Sequence, residues 1–200
     1  FGVALDFRLD GLSLTMALLI CFIGSGVFLY SGQYMRSQSR IGTGFYTTLG
    51  FFTAAMLGLV LADNMILFFL FWEATSICSF LLVGAKHQTR VARESARKAL
   101  YITVGGGLAL LVGLLLISLY GQTSGLSLLD SLRFSAIDPA ITQDASYPWI
   151  VFCVAVAVAT KSAQFPFHIW LPDAMAGPTP VSSFLPVSYT HLRAHETPAN

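Results

Sequence analysis

Four apolar runs of about bilayer length dominate this sequence and leave few folds open to it. They cover residues 12–30, 45–62, 65–85 and 99–120. A helix needs about 20 apolar residues to cross the hydrocarbon of a membrane. Within lipid the backbone must satisfy its own hydrogen bonds, so such runs become transmembrane helices. A fifth run covers residues 149–164, carries Lys161 and then meets Pro166. Proline cannot continue a helix, so a discontinuous helix is expected there. The fold class is therefore all-α: a polytopic transmembrane helix bundle with one broken helix. Only 10% of residues are charged, against about 25% in soluble domains. A net charge of +1 offers nothing to attract nucleic acid.

Between the second and third runs only Asp63 and Asn64 are polar, which predicts a tight hairpin. Residues 121–147 form a longer extramembrane loop. Loops then alternate between two sides. One side holds Arg36, Arg40, Lys86, Arg90, Arg93, Arg97 and Lys98. The other holds Arg8 and Arg133 among Asp6, Asp10, Asp63, Asp130, Asp138 and Asp144. The excess of basic residues assigns the loops at 33–44 and 86–98 to the cytoplasm. Arg90, Arg93, Glu94 and Arg97 have helical spacing and read as a short amphipathic segment at the lipid headgroups.

Glu73 sits near the middle of the third run. An acid at that depth costs roughly 2.5–3.5 kcal/mol on insertion scales, so it needs a partner or a task. At ~1.5 Å per residue Glu73 lies ~12 Å from the outer end of its run, and Lys161 lies ~18 Å from the outer end of its own. The two opposite charges thus fall at similar depth. Thr75, Ser76 and Ser79 flank the carboxylate with hydroxyls, and Ser76 shares its helical face. Burial disfavours a charged lysine and a neighbouring carboxylate favours it. A lysine balanced between the two can exchange its proton when the neighbour moves. Glu73 and Lys161 are therefore the primary proton-relay candidates, against the alternative of a static structural pair. Lys98 and His168 are secondary ones. Lys98 opens the fourth run and either carries protons or snorkels to the interface. His168 follows the break and either shuttles protons or caps a loop. His87, in the basic loop, reads as solvated. The break itself would leave backbone carbonyls free, as at ion sites of transporters.

Gly105, Gly106, Gly107 and Gly113 allow close helix contact within the fourth run. No phosphate-binding motif contains them, because the run has no preceding strand and no correctly spaced lysine. Cys21, Cys78 and Cys153 lie in apolar runs without metal-ligand spacing and read as small buried hydrophobes. No cofactor and no metal site is expected. Thr179-Pro180 has the form of a helix start, an N-cap followed by proline at the first position. The chain opens on Phe1 with no signal peptide visible, so further sequence is expected upstream. After Leu185 the composition turns abruptly polar. Residues 187–197 read as the translation of a common transposase sequencing adapter. Residues 186–200 are therefore expected to be non-native, and His191, Arg193, His195 and Glu196 are excluded as site candidates.

Two stretches carry a resemblance. One is Leu61-Ala-Asp-Asn64 followed by Phe71-Trp-Glu73-Ala-Thr-Ser-Ile-Cys-Ser-Phe-Leu-Leu. The other is Lys161-Ser-Ala-Gln-Phe-Pro-Phe-His168-Ile-Trp-Leu-Pro-Asp173-Ala-Met-Ala-Gly-Pro-Thr-Pro-Val-Ser182. Together they resemble the proton-translocating antiporter subunits shared by Mrp-type cation/proton antiporters and respiratory complex I. The similarity covers nearly all of residues 1–185. It implies a fourteen-helix subunit with two inverted five-helix repeats. This chain would supply the third to seventh helices and the start of the eighth, a partial proton-conducting domain. It also implies that Glu73 and Lys161 stand at the core glutamate and the broken-helix lysine of the proton path. Val104 and Gly107 stand where complex I L-type subunits show arginine and aspartate, so the chain looks closer to the A-type subunits of the Mrp branch. The function implied is that of a bacterial inner-membrane subunit of a multisubunit cation/proton antiporter. Its partners would be other subunits of a hetero-oligomeric complex, H+, Na+ and the bilayer. The alternative is a proton-pumping membrane subunit of complex I or of a membrane-bound hydrogenase. Either way the subunit transports and holds no redox centre of its own.

Overall fold

A computed structural model of the chain describes residues 6–36, 44–86 and 90–174. Arg40, His87, Thr179, Pro180 and the expected non-native tail at 186–200 lie outside them. The described residues form helices α1 (Gly11–Arg36), α2 (Gly44–Leu61), α3 (Met65–Val83), α4 (Arg90–Thr123), α5 (Tyr147–Lys161) and the short α6 (Trp170–Ala174). Helices α1 to α4 are each long and apolar enough to cross a membrane, and α5 is a shorter apolar helix. The five expected spans are thus all helical. In packing, α1 lies on α2, α2 on α3, and α4 between α3 and α5.

Three boundaries differ from the sequence reading. The basic stretch at 90–97 is no separate surface segment: it forms the first turns of α4. Ala92, Ser95, Ala96 and Ala99 are buried at helical spacing, and Arg90 pairs with Glu94 at 2.6 Å one turn on. The period continues without a break, so the helix does too. Of the loops expected at 33–44 and 86–98, residues 33–36 and 90–98 are therefore helical. The third difference is the end of α5, which stops at Lys161 rather than Gln164. Ala163 adopts a left-handed φ of 49°. The Gln164 amide donates to Ala159 O at 2.8 Å and the Ala163 amide to Thr160 O at 3.4 Å. This is a Schellman stop, three residues ahead of Pro166.

One end of the bundle is held by a clasp between distant segments. Asn64 caps α3, accepting from the amides of Ile66 at 2.9 Å and Leu67 at 3.3 Å. Around this hairpin the Arg8 amide donates to Leu61 O at 2.8 Å and the Asp63 amide to Asp6 O at 3.0 Å. From the long loop, the Phe134 amide reaches Asp63 O at 2.9 Å. Ser135 donates through its amide and its hydroxyl to the Asp63 carboxylate, and Arg133 Nε lies 2.7 Å from Asp6 Oδ2. The N-terminal segment, the hairpin and the long loop therefore share one end. Just below, Asp10 and Ser13 cap α1 reciprocally, each side chain accepting from the other's amide at 2.8 Å. The Ser13 amide holds the Asp10 carboxyl below its ordinary value, so this cap persists at neutral pH and weakens only as pH falls through that lowered value.

Two apolar clusters fill the interior. Near the clasp lie Met65, Trp72, Leu110, Leu114 and Ala157. The second includes Val27, Leu49, Cys78, Leu82, Ala96 and Trp170. On α3 the first cluster takes Met65 and Trp72, and the second takes Cys78 and Leu82. The turn at 73–76 therefore forms a polar layer between them. Of the cysteines, Cys78 is buried and Cys153 half-buried, but Cys21 faces outward on α1, contrary to expectation.

Replacing Asn64 by Ala leaves two amides at the start of α3 uncapped, and should cost about 1 kcal/mol. Asn64→Asp should retain most of the stability. Unfolding of the detergent-solubilised protein measures both; equal losses in the two variants would contradict the capping role.

Candidate functional site

The polar layer is assembled from α3, α4 and α5. Lys161 is the last residue of α5, so the Schellman stop places its ammonium at the negative end of the helix dipole. The stop also satisfies the carbonyls it would otherwise strand. Val158 O accepts from the Ser162 amide at 2.8 Å, Ala159 O from Gln164, and Thr160 O from Ala163 and from Trp170 Nε1 at 3.0 Å. These three carbonyls are thus not an open ion site. What the break presents to the bundle is the lysine side chain.

Lys161 reaches across to α3. Its Nζ donates to Thr75 Oγ1 at 2.6 Å, Ser76 Oγ at 2.8 Å and Trp72 O at 3.2 Å. An ammonium has three protons to donate, and one turn of α3 supplies three acceptors. Thr75 and Ser76 are almost fully buried, at 2% and 1% exposure. Their own hydroxyls donate to Trp72 O at 2.7 and 3.2 Å, which leaves their lone pairs for the lysine.

Glu73 sits in the same turn, but its carboxylate turns toward α4. A Cβ at Gly107 would overlap Glu73 Oε1. The glycine therefore opens the space the carboxylate occupies. Oε1 is buried and accepts no hydrogen bond among the described residues. The Glu73 and Lys161 charges are near enough to interact electrostatically, while the bonds to Nζ just described all come from α3 oxygens other than Glu73's. Gly106 plays the matching role for α5: a Cβ there would overlap Thr160 Oγ1. Gly113 accommodates Cys153, whereas Gly105 faces open space.

The secondary candidates lie elsewhere. Lys98 forms an ion pair with Asp173 of α6. His168 is exposed and stacks on Phe165 with ring centroids 5.9 Å apart. No group of three or more His, Cys, Asp or Glu among the described residues could hold a metal ion. Sequence alone assigns no role to Trp72, Asp173 or Trp170. For Trp72 the available signal is its position three and four residues before Thr75 and Ser76, which puts its carbonyl beside their hydroxyls. For Asp173 and Trp170 the partners are far away in sequence and no local pattern exposes them.

The described residues thus form a bundle of apolar helices of membrane-spanning length, with an ammonium at the broken end of α5 seated on α3 within one turn of a buried carboxylate oxygen. The sequence model described as "NADH:quinone oxidoreductase/Mrp antiporter, TM" matches residues 62–193, and the chain belongs to that family. A second, described as "NADH-Ubiquinone oxidoreductase (complex I), chain 5 N-terminus", matches residues 1–45. The chain is 44% identical over 188 residues to the A1 subunit of a Na(+)/H(+) antiporter of Staphylococcus aureus, covering 92% of this chain and 22% of that protein. It is 45% identical over 187 residues to the A1 subunit of the Staphylococcus haemolyticus Na(+)/H(+) antiporter, with the same coverage. Among solved structures, a chain of the Mrp complex from Dietzia sp. DQ12-45-1b superposes with a TM-score of 0.74 at 37% identity, over 90% of this chain and 19% of that one. The chain thus spans 22% of the length of these curated relatives.

The glycines make a sharp test of this packing. Gly106→Ala and Gly107→Ala force a methyl group onto Thr160 and Glu73 and should each cost about 1–3 kcal/mol. Gly105→Ala should be neutral or add up to about 1 kcal/mol. Comparable losses at all three positions, read by unfolding in detergent, would contradict the arrangement.

Proposed function

We propose that this chain is part of a membrane subunit of a multisubunit cation/proton antiporter, and that Glu73 and Lys161 carry its proton relay. The observation that carries the reading is the Lys161 ammonium, delivered by a broken helix to the α3 turn that begins at Glu73. With the carboxylate charged and near, the ammonium is favoured; if the carboxylate is protonated or moves away, desolvation drives the proton off. The unbonded Oε1 fits a group able to move, since no hydrogen bond from the described residues holds that oxygen. Lys98, paired with Asp173 away from the polar layer, is a secondary candidate for passing protons, and His168 is another just beyond the break.

The exchanged cation is Na+, as the names of the relatives suggest, and the working partners are the other subunits of the complex. The membrane is the bacterial inner membrane. The clasp end, which carries Asp6, Asp10 and Asp63, faces outward. The basic end, with the segments at 33–44 and 86–98, faces the cytoplasm. Residues 1–185 form a partial proton-conducting domain, and the tail at 186–200 is foreign to it. The names of the relatives favour the antiporter over a complex I or hydrogenase subunit.

The test uses the full-length protein, in complex with its partner subunits, in everted vesicles. Glu73→Gln and Lys161→Ala should each lower Na+-dependent proton flux at least tenfold. Normal flux in both variants would sink the assignment.

A further inference from the structure

Trp72 precedes the relay glutamate in sequence, yet the relay as described uses only its main chain. Its ring lies closer to the charge than its position suggests. The Lys161 ammonium sits over the indole, 5.2 Å from its centroid. The carbonyl of the same residue accepts from that ammonium at 3.2 Å. One residue therefore supports the charge twice, by its carbonyl and by its π-face.

The ring is buried and held from the clasp side. Phe68 packs against it with centroids 6.1 Å apart, and Phe134 meets Phe68 edge-on at 5.5 Å. Phe134 is in turn fixed by the hydrogen bond its backbone amide donates to Asp63 O. The indole Nε1 is buried and has no hydrogen-bond partner among the described residues. A buried indole N–H normally finds a partner, and leaving one unmet carries a desolvation cost that a phenyl ring would avoid. Packing alone therefore does not account for an indole here. What an indole offers beyond a phenyl ring is the best π-face for a cation, and that attraction grows when the pair is removed from water. The same ring lines a largely apolar cavity of about 560 Å3, together with Leu59, Phe68, Leu110, Phe134 and Val154; Lys161 is not among its lining residues.

We propose that Trp72 is a positioning residue for Lys161: its ring face and carbonyl seat the ammonium against α3 and part it from the apolar cavity. The inference rests on the reading of Lys161 as a proton carrier. A π-face suits that task because it stabilises the cation without offering a base. The ring holds the charge in place, and unlike a second carboxylate it cannot take the proton out of the path.

Two measurements on the full-length subunit in its complex test this. In protein labelled with 5-fluorotryptophan, the Trp72 resonance is assigned by its loss in Trp72→Phe. Lys161→Met should shift that resonance while the resonance of the exposed Trp149 stays in place. An unmoved Trp72 resonance would overturn the contact, whatever the flux. Site-directed 5,6,7-trifluorotryptophan at position 72 keeps the ring's shape and weakens its negative face. It should lower Na+-dependent proton flux about tenfold, with Trp72→Phe falling between it and the native residue. Native flux with the trifluorinated ring would overturn the positioning role. Failure of the relay reading shows separately, as normal flux in Lys161→Ala, and leaves the fluorine shift to decide the contact on its own.

Discussion

A positive charge inside an apolar bundle must be met by enough acceptors, and the rest of this structure is arranged around that requirement. Lys161 finds its acceptors in a single turn of α3, through Thr75, Ser76 and the carbonyl of Trp72. That turn must face α5, so α4 has to let both helices approach. Gly106 and Gly107 are where it does so, one against Thr160 and one against Glu73. The stop at Ala163 completes the arrangement by ending α5 at the lysine itself. Had α5 continued, the side chain would leave from the flank of a helix, without the favourable field at its C-terminus.

The two charges are held differently. Lys161 is bonded in three directions, while Glu73 Oε1 has no described donor. A fixed ammonium and a less constrained carboxylate make an asymmetric pair. In a proton relay the less constrained group is the natural variable, because its position or charge sets how well the fixed one keeps its proton. The clasp around Asp63 and the N-cap at Asn64 fix the start of α3, so the turn that carries Glu73 and the acceptors of Lys161 is anchored from one end.

Much of this is legible in the sequence, because membrane folds are written in long apolar runs and glycine stripes. The spans, the hairpin at Asp63-Asn64, the glycine contact face and the similar depth of Glu73 and Lys161 all follow from composition and spacing. The rest depends on geometry with no local signature. Pro166 suggests the break, but Ala163 makes it earlier, by adopting a backbone region that alanine rarely visits. Spacing along α3 lines the carboxylate with hydroxyls, whereas Thr75 and Ser76 serve the lysine. Helical spacing at 90–97 suggests a surface segment, because periodicity alone cannot say that a charged turn and an apolar run form one helix. The pairing of Lys98 with Asp173 joins residues far apart in sequence and is beyond any pattern.

The central claim is that Glu73 and Lys161 act as one unit. A double-mutant cycle tests it most directly, using the conservative changes Glu73→Asp and Lys161→Arg so that flux remains measurable. Coupled groups should depart from the product of the single losses by more than about twofold. Losses that simply multiply would mean that the two charges work independently, and would contradict the account.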